Sequence, residues 1–383
     1  AYEISLGLVG SEMGIRDRTG NIELSAPPRE YSMEPTDNQP YSEYNVKISA
    51  PGYQEGLVSG VQIFSGENGL QSIVLQPSEQ TPDYVYNPIV IGGHTLWEYY
   101  PPKIAEPEIK PLSESGEIVL SRVVVPETIV VHDGVPGDST ATDYYVPYID
   151  YIKNVACCEI YSTWPESTIE ANILAIMSFT LNRVYTEWYR NKGYNFTITS
   201  STAYDHKWIY GKTIYENISQ IADRLYNRYL ARPNVKQPIL TQYCDGKRVS
   251  CPNWMTQWGS KALGDDGFSA IDIIHYYYGS DMYVNEAEIV SGIPSSYPGY
   301  DLTIGSSGEP VITIQEQLNR IAQNYPAIPT VTVDGIFGSA TTESVRAFQS
   351  IFNLPVSGIV DFPTWYKISQ IYVGVSKIGE NIR

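Results

Sequence analysis

Cations, histidines and cysteines are scarce in this sequence, and each shortage closes a class of function. Lys and Arg number 25 against 43 Asp and Glu, a net charge of −18. Binding a phosphate backbone takes clustered cations that displace counterions, so nucleic acid is not an expected partner. The four histidines, His94, His132, His206 and His275, show no metal-ligand spacing, and no metal is expected from them. Four cysteines are too few for a disulfide scaffold. Cys244 and Cys251 close a short loop and leave three states open: a bridge, free thiols, or half of a zinc site. Cys157 and Cys158, adjacent in sequence, read as small buried thiols. Long apolar runs are also missing. The longest, 171–181, is broken by Asn172, Ser178 and Thr180 and cannot cross a bilayer. The first residues, Ala1-Tyr-Glu-Ile-Ser5, carry neither the basic nor the apolar part of a secretory signal.

Tyrosine is abundant instead, at 32 beside 7 Trp and 8 Phe. Rings with a polar tip suit half-wet surfaces and the faces of sugars. At 383 residues with 42% apolar content, several packed domains are expected rather than one. Residues 1–88 read as an all-β sandwich: 45–49 alternate with period two, 51–53 turn, and 58–64 and 70–75 follow as strands. Residues 89–143 are rich in Pro and β-branched residues and read as an extended linker packed on its neighbours.

From 144 to 283 the pattern becomes mixed α and β. A helix is expected from Val146 to about Ile160. A second should start at a capping box, Thr163-Trp-Pro-Glu166, and run to about Arg190, burying one face through Ile169, Ile173, Ile176, Met177, Thr180 and Val184. Further helices fit 215–230, 258–263 and 270–278. A Pro/Gly/Ser linker over 284–300 leads to a compact unit at 301–373 and a tail at 374–383.

Three resemblances attach to these segments. The Ala50-Pro-Gly-Tyr53 turn, the Gly60-Val-Gln-Ile-Phe64 strand and the Val74-Leu-Gln-Pro77 close resemble the carboxypeptidase regulatory-like, transthyretin-like sandwich. Ile314-Gln-Glu-Gln-Leu318, Asp334-Gly-Ile-Phe-Gly338, Thr341, Phe348-Gln349, Gly358 and Thr364-Trp365 resemble the peptidoglycan-binding-domain-1 family, a three-helix module. That likeness implies a cell-wall glycopeptide as ligand, in a groove around Asp334, Gly335, Phe337, Gly338 and Thr341. The same residues also serve to specify the fold.

Tyr148-Ile-Asp-Tyr-Ile-Lys-Asn-Val-Ala-Cys-Cys-Glu159, Ile169-Glu-Ala-Asn-Ile-Leu-Ala175, Met255-Thr-Gln-Trp-Gly-Ser260 and Ile274-His-Tyr-Tyr-Tyr-Gly279 resemble, in order, the SpoIID/LytB family. The resemblance implies a lytic transglycosylase that cleaves the MurNAc–GlcNAc linkage of peptidoglycan strands with one Glu, here Glu159, during wall or spore-envelope remodelling outside the cell. Read from the residues alone, Glu159 is more often a helix-end carboxylate paired with a cation. Motif position adds Tyr161, Asn172, Ser200, Ser201, Tyr204, Asp205, Tyr210, Tyr243, Asp245, Gln257 and Trp258 as substrate-cleft candidates, with Asp205 the second carboxylate if the reaction is hydrolysis. Where the family carries Ala-Arg-Thr-Tyr this chain has Ile176-Met-Ser-Phe179, so that cation is absent from α-helical register. This departure keeps a non-catalytic wall-binding protein as the alternative, and the Tyr- and Pro-rich β regions keep self-association open.

Overall fold

The computed structural model describes residues 2–11, 21–26, 39–49, 51–75, 78, 88–110, 123–126, 128–287, 298, 300–352 and 354–376. The linker residues 288–297 and the tail residues 377–383 lie outside them, as do Gln76 and Pro77.

Strand β1 (Tyr2–Ser11) runs parallel to β2 (Asn21–Ser25) and antiparallel to β5 (Asn68–Leu75). A second sheet joins β3 (Ser42–Ile48) to β4 (Gly56–Ile63) antiparallel, and β4 to β6 (Ile89–Val90) parallel. The period-two pattern has its physical counterpart here: Val46 and Ile48 are buried while Lys47 between them is exposed. They share a core with Val58, Val61 and Ile63 of β4 and with Ile73 and Leu75 of β5, so the two sheets pack face to face.

The central unit begins earlier than the composition shift at 144 suggests. Strand β7 (Thr128–His132) pairs antiparallel with β8 (Asp143–Pro147) and parallel with β9 (Ile198–Thr199). Ile129, Val130 and Val131 are all fully buried, as expected for a strand covered on both sides. Helix α1 (Tyr148–Glu159) follows directly after Pro147, whose fixed φ suits a helix start.

Helix α2 (Glu166–Tyr185) corrects two expectations. The capping box does not form: Pro165 occupies the N-cap position and the Thr163 hydroxyl has no partner. The residue before a proline is pushed out of the helical region, which places Trp164 and Thr163 outside the first turn. The helix also has no wet face, since 17 of its 20 residues are buried. Two of its polar side chains donate to backbone carbonyls: Ser178 Oγ to Ile239 O at 2.7 Å and Asn182 Nδ2 to Pro238 O at 2.7 Å. The helix stops at Tyr185, and the chain turns through Glu187 at φ 47° and Gly193 at φ 84°.

Strand β10 (Ile214–Tyr215), helix α3 (Glu216–Leu225) and strand β11 (Arg228–Ala231) come next. The short parallel pair β12 (Tyr243–Cys244) and β13 (Met255–Thr256) precedes α4 (Gln257–Asp265), α5 (Ala270–Tyr278) and β14 (Tyr283–Glu286), which closes on β11. A capping box does occur on α5, between Ser269 and Asp272. Helices α1, α3, α4 and α5 and strand β11 surround α2.

The first and central units are continuous. Strand β10 extends the β1–β5 sheet along the free edge of β5. Beside it, buried Lys212 Nζ donates to Gln62 Oε1 at 2.6 Å and Tyr215 OH to Gln62 O at 2.9 Å. The Pro-rich residues 99–107 form no strand, but they are fastened. Gln242 accepts from Glu106 N at 2.8 Å and donates to Ile104 O at 2.7 Å, while Arg183 grips the Glu106 carboxylate at 2.9 and 2.6 Å.

The last unit packs α6 (Glu309–Ala322), α7 (Ser339–Ile351) and α8 (Phe362–Ser376) around Val311, Leu318, Phe337, Phe348, Val360 and Trp365. Among the described residues no helix is long and apolar enough to cross a membrane.

Candidate functional site

Glu159 is the last residue of α1, where a carboxylate faces the negative end of the helix dipole. It is 4% exposed. Its Oε1 accepts from the Lys207 backbone N–H at 2.8 Å, and its Oε2 accepts from Gln257 Nε2 at 3.1 Å. The parallel β12–β13 pair makes this arrangement, because it sets Tyr243, Asp245 and Gln257 on one side of the end of α1. The last carbonyls of α1 are also taken: Thr95 Oγ1 donates to Cys158 O at 2.9 Å and Gln257 Nε2 to Glu159 O at 2.9 Å.

Glu159, Thr95, Tyr243, Asp245 and Gln257 line a cavity of about 50 Å³ together with Glu98, Tyr100, Pro101, Lys103, Thr202 and Arg248. Burial pushes the Glu159 carboxyl above its usual range, opposed first by the Lys103 ammonium and then by the Lys207 and Gln257 donors. The result is a carboxyl group, held from two sides, that retains its proton to higher pH than an exposed Glu. Such a group can donate a proton and take one back.

Of the cleft candidates, Tyr243, Asp245 and Gln257 line this cavity beside Glu159. Tyr243 is 2% exposed, its ring lies parallel to that of His206 at 5.8 Å, and its hydroxyl has no partner. Asp245 accepts from the backbone N–H groups of Lys247, Arg248 and Val249 at 3.2, 2.9 and 2.9 Å and so shapes the loop.

The structure places the other candidates elsewhere. Tyr161 and Trp258 are buried in an aromatic cluster with Trp164, and Asn172 ties α2 to Ser260 of α4 at 2.9 Å. Ser200, Ser201 and Tyr204 contribute mainly backbone hydrogen bonds, and Tyr210 stacks on Tyr144 at 4.8 Å on the surface. Asp205 is corrected as a second carboxylate. It is fully buried, with Oδ1 accepting from Arg183 Nε at 2.7 Å and Oδ2 accepting from Tyr189 OH, Thr199 N and Thr199 Oγ1 at 2.6, 2.9 and 2.7 Å. Both carboxylate oxygens are engaged in the fold.

Cys244 and Cys251 are joined in a disulfide, so neither sulfur is available to zinc. The bridge closes the loop that carries Asp245 and Arg248 into the cavity wall. Cys157 and Cys158 are free and buried. Sequence reasoning missed Thr95, Glu98, Tyr100, Lys103, Thr202 and Arg248. The first four lie on the segment read as linker, where the one available signal was a cation, Lys103, directly after Pro101-Pro102.

In the C-terminal unit one glutamine organises the turn before α7. Gln315 Oε1 accepts from Asp334 N and Gly335 N at 3.1 and 2.9 Å, while its Nε2 donates to Asp334 Oδ1, Ile336 O and Thr341 Oγ1 at 2.9, 3.1 and 3.2 Å. Gly335 sits at φ 71°, a conformation that excludes most side chains. Gln349 repeats the arrangement before α8. It accepts from Gly358 N at 2.8 Å and donates to Ser357 Oγ, Ile359 O and Thr364 Oγ1 at 3.1, 2.9 and 3.1 Å, with Gly358 at φ 76°. Of the expected groove residues, Phe337 and Thr341 are buried and act inside the fold, whereas Asp334 is exposed beside Ile336, itself 59% exposed.

Residues 307–368 match the family model described as "Putative peptidoglycan binding domain". No curated protein matches the chain. The crystal structure of SleB N-terminal domain is similar at 34% identity, over 19% of this chain and 93% of that one, with a TM-score of 0.17. The matched span holds α6, α7, both glutamine-anchored turns and most of the last core, and it associates the chain with the cell wall. The C-terminal unit thus carries a match to a peptidoglycan-binding module.

Proposed function

We propose that the chain is a peptidoglycan lytic transglycosylase, anchored on the wall by its C-terminal module and cleaving the MurNAc–GlcNAc linkage with Glu159. The observation that carries this reading is the buried, doubly held carboxyl at the end of α1 in a cavity lined by Tyr243 and Gln257. The ordered resemblance of residues 144–280 to the SpoIID/LytB family supports it. Glu159 protonates the glycosidic oxygen as the bond from C1 to that oxygen breaks. The resulting carboxylate then takes the proton of the 6-hydroxyl as O6 closes on C1, so Glu159 ends protonated and no water is consumed. With Asp205 committed to Arg183, no second carboxylate from that position serves a hydrolytic route.

Purified sacculi incubated with the protein should release 1,6-anhydro sugars, read by mass spectrometry, and Glu159→Gln should release none. Reducing ends would replace transglycosylation by hydrolysis, and full release by Glu159→Gln would remove Glu159 from the reaction. A second reading, a wall-binding protein without turnover, is favoured by the missing family cation, since Ile176-Met-Ser-Phe179 stands in its place. It predicts retention on sacculi with no product.

A further inference from the structure

Lys103 is held more firmly than an exposed lysine would be. It follows Pro101-Pro102, whose rings fix two φ angles, and precedes Ile104, whose N–H donates to Ala203 O at 2.7 Å. The Gln242 clamp on Ile104 and Glu106 and the Arg183 grip on Glu106 hold the chain just beyond. The ammonium itself donates to the carbonyl of Asp205 and stands 5.4 Å from the centre of the Phe179 ring and 5.1 Å from that of Tyr243. Of its three N–H donors, one is used by that carbonyl. Lys103 and Glu159 line the same cavity. The segment before the central helices therefore supplies a fixed positive charge to the carboxyl at the end of α1.

We propose that Lys103 is a positioning residue for Glu159, its ammonium holding the carboxylate that Glu159 becomes when it gives up its proton. The proposal rests on the transglycosylase reading and names the group that makes the proton cycle reversible there. The carboxylate faces the negative end of α1 and is nine-tenths buried, so without a nearby cation the charge would be costly to form. The Lys207 N–H and the Gln257 amide donate to both charge states. Arg248 also lines the cavity, over the Trp97 and Tyr99 rings, but Lys103 is the foremost of the charges that oppose burial at Glu159 and is itself fixed on two aromatic faces. The other charged or titratable groups facing the pair are Glu98, Tyr100 and Glu106 on the same segment, Tyr151 and Cys158 on α1, Arg183 on α2, Asp205, His206 and Lys207 after β9, and Tyr243, Asp245 and Arg248 around β12.

Removing the ammonium favours the protonated form, so Glu159 should hold its proton to higher pH. The test compares the full-length protein with Lys103→Gln, which keeps a donor for the Asp205 carbonyl, with Lys103→Met, and with Lys103→Arg. On sacculi, Lys103→Gln should lower kcat roughly 100-fold with KM little changed. The alkaline limb of its pH profile should move up by about one unit or more. Lys103→Arg should recover most of the rate. Titration of the Glu159 carboxyl by carbon NMR, assigned with Glu159→Gln, should show the same upward shift without any turnover. An unmoved limb together with an unmoved carboxyl titration overturns the proposal. If the wild-type protein releases no sugar, the reaction is wrong, and the NMR titration still decides whether Lys103 governs Glu159. If Lys103→Met does not fold, the Gln and Arg variants carry the same comparison.

Discussion

Gln257 spans both ends of Glu159, with its Nε2 at 2.9 Å from the backbone carbonyl and 3.1 Å from Oε2. A single amide thereby satisfies the last carbonyl of α1 and orients the carboxyl. As the first residue of α4, directly after β13, Gln257 takes its position from the β12–β13 ladder. Gln257→Ala should leave that carbonyl unpaired, at a cost of about 1–3 kcal/mol, and let the carboxyl rotate. Sugar release from sacculi should fall at least tenfold while retention on sacculi is unchanged. Unchanged release would mean that the Lys207 N–H is sufficient to hold Glu159.

Arg183 is fully buried between Asp205 and Glu106. Arg183→Met would leave the Asp205 carboxylate without its ion-pair partner and Glu106 with Lys110 alone, and removing one partner of a buried ion pair costs roughly 3–5 kcal/mol. A urea midpoint should fall accordingly. A change below about 1 kcal/mol would show that Lys110, which also contacts Glu106, compensates for the loss.

The Cys244–Cys251 bridge closes a loop with a sequence separation of 7. Loop entropy puts its contribution at roughly 2.5 kcal/mol. Cys251→Ser should lower the thermal midpoint and, because Asp245 and Arg248 ride on that loop, should reduce sugar release more than it reduces retention on sacculi. Equal loss of both would place the effect outside the cavity.

His94 and His206 are both buried, and burial holds each well below the ordinary histidine value. His94 Nδ1 accepts from Leu96 N at 3.2 Å and its Nε2 faces Ile160 O at 3.3 Å, so the neutral ring with a proton on Nε2 fits the site. Below the unfolded value near 6.5 the unfolded chain binds protons that the folded chain does not. Stability from these rings is therefore present above that pH and is lost as pH falls, at about 1.4 kcal/mol per unit for each ring. A thermal midpoint that stays flat between pH 7 and 5 would contradict this, and His94→Gln should flatten the slope.

Much of the architecture was legible because local chemistry and tertiary structure agree. Helix α5 begins at Ala270 and ends at Tyr278 as periodicity indicates, with Ser269 and Asp272 at its start and Gly279 at its end. Strands β3, β4 and β5 fall where apolar and polar residues alternate. Helix α2 was legible as a helix but not as the centre of the fold. Ser178 and Asn182 look like part of a polar face, yet both bond to backbone carbonyls inside the protein. Asp205 looked available for chemistry because its partner, Arg183, belongs to a helix whose interior position no local pattern reveals. Lys103 was invisible for the same reason: its neighbours Phe179, Asp205 and Tyr243 come from three separate stretches of chain. Glu159 and Gln257 were read by their place in a motif, and the three states left open for Cys244 and Cys251 are resolved as a bridge.

The paired glutamines of the C-terminal module give it an internal reference. Gln315 and Gln349 make matching bonds to turns whose glycines share one backbone conformation, but the carboxylate of Asp334 is replaced in the second turn by the hydroxyl of Ser357. The demands of folding are thus duplicated, while the acidic, apolar-flanked surface of Asp334 and Ile336 occurs in the first copy alone. Equivalent substitutions in the two halves separate two contributions: what both turns lose alike belongs to the scaffold, and what the first alone loses belongs to the exposed Asp334 carboxylate.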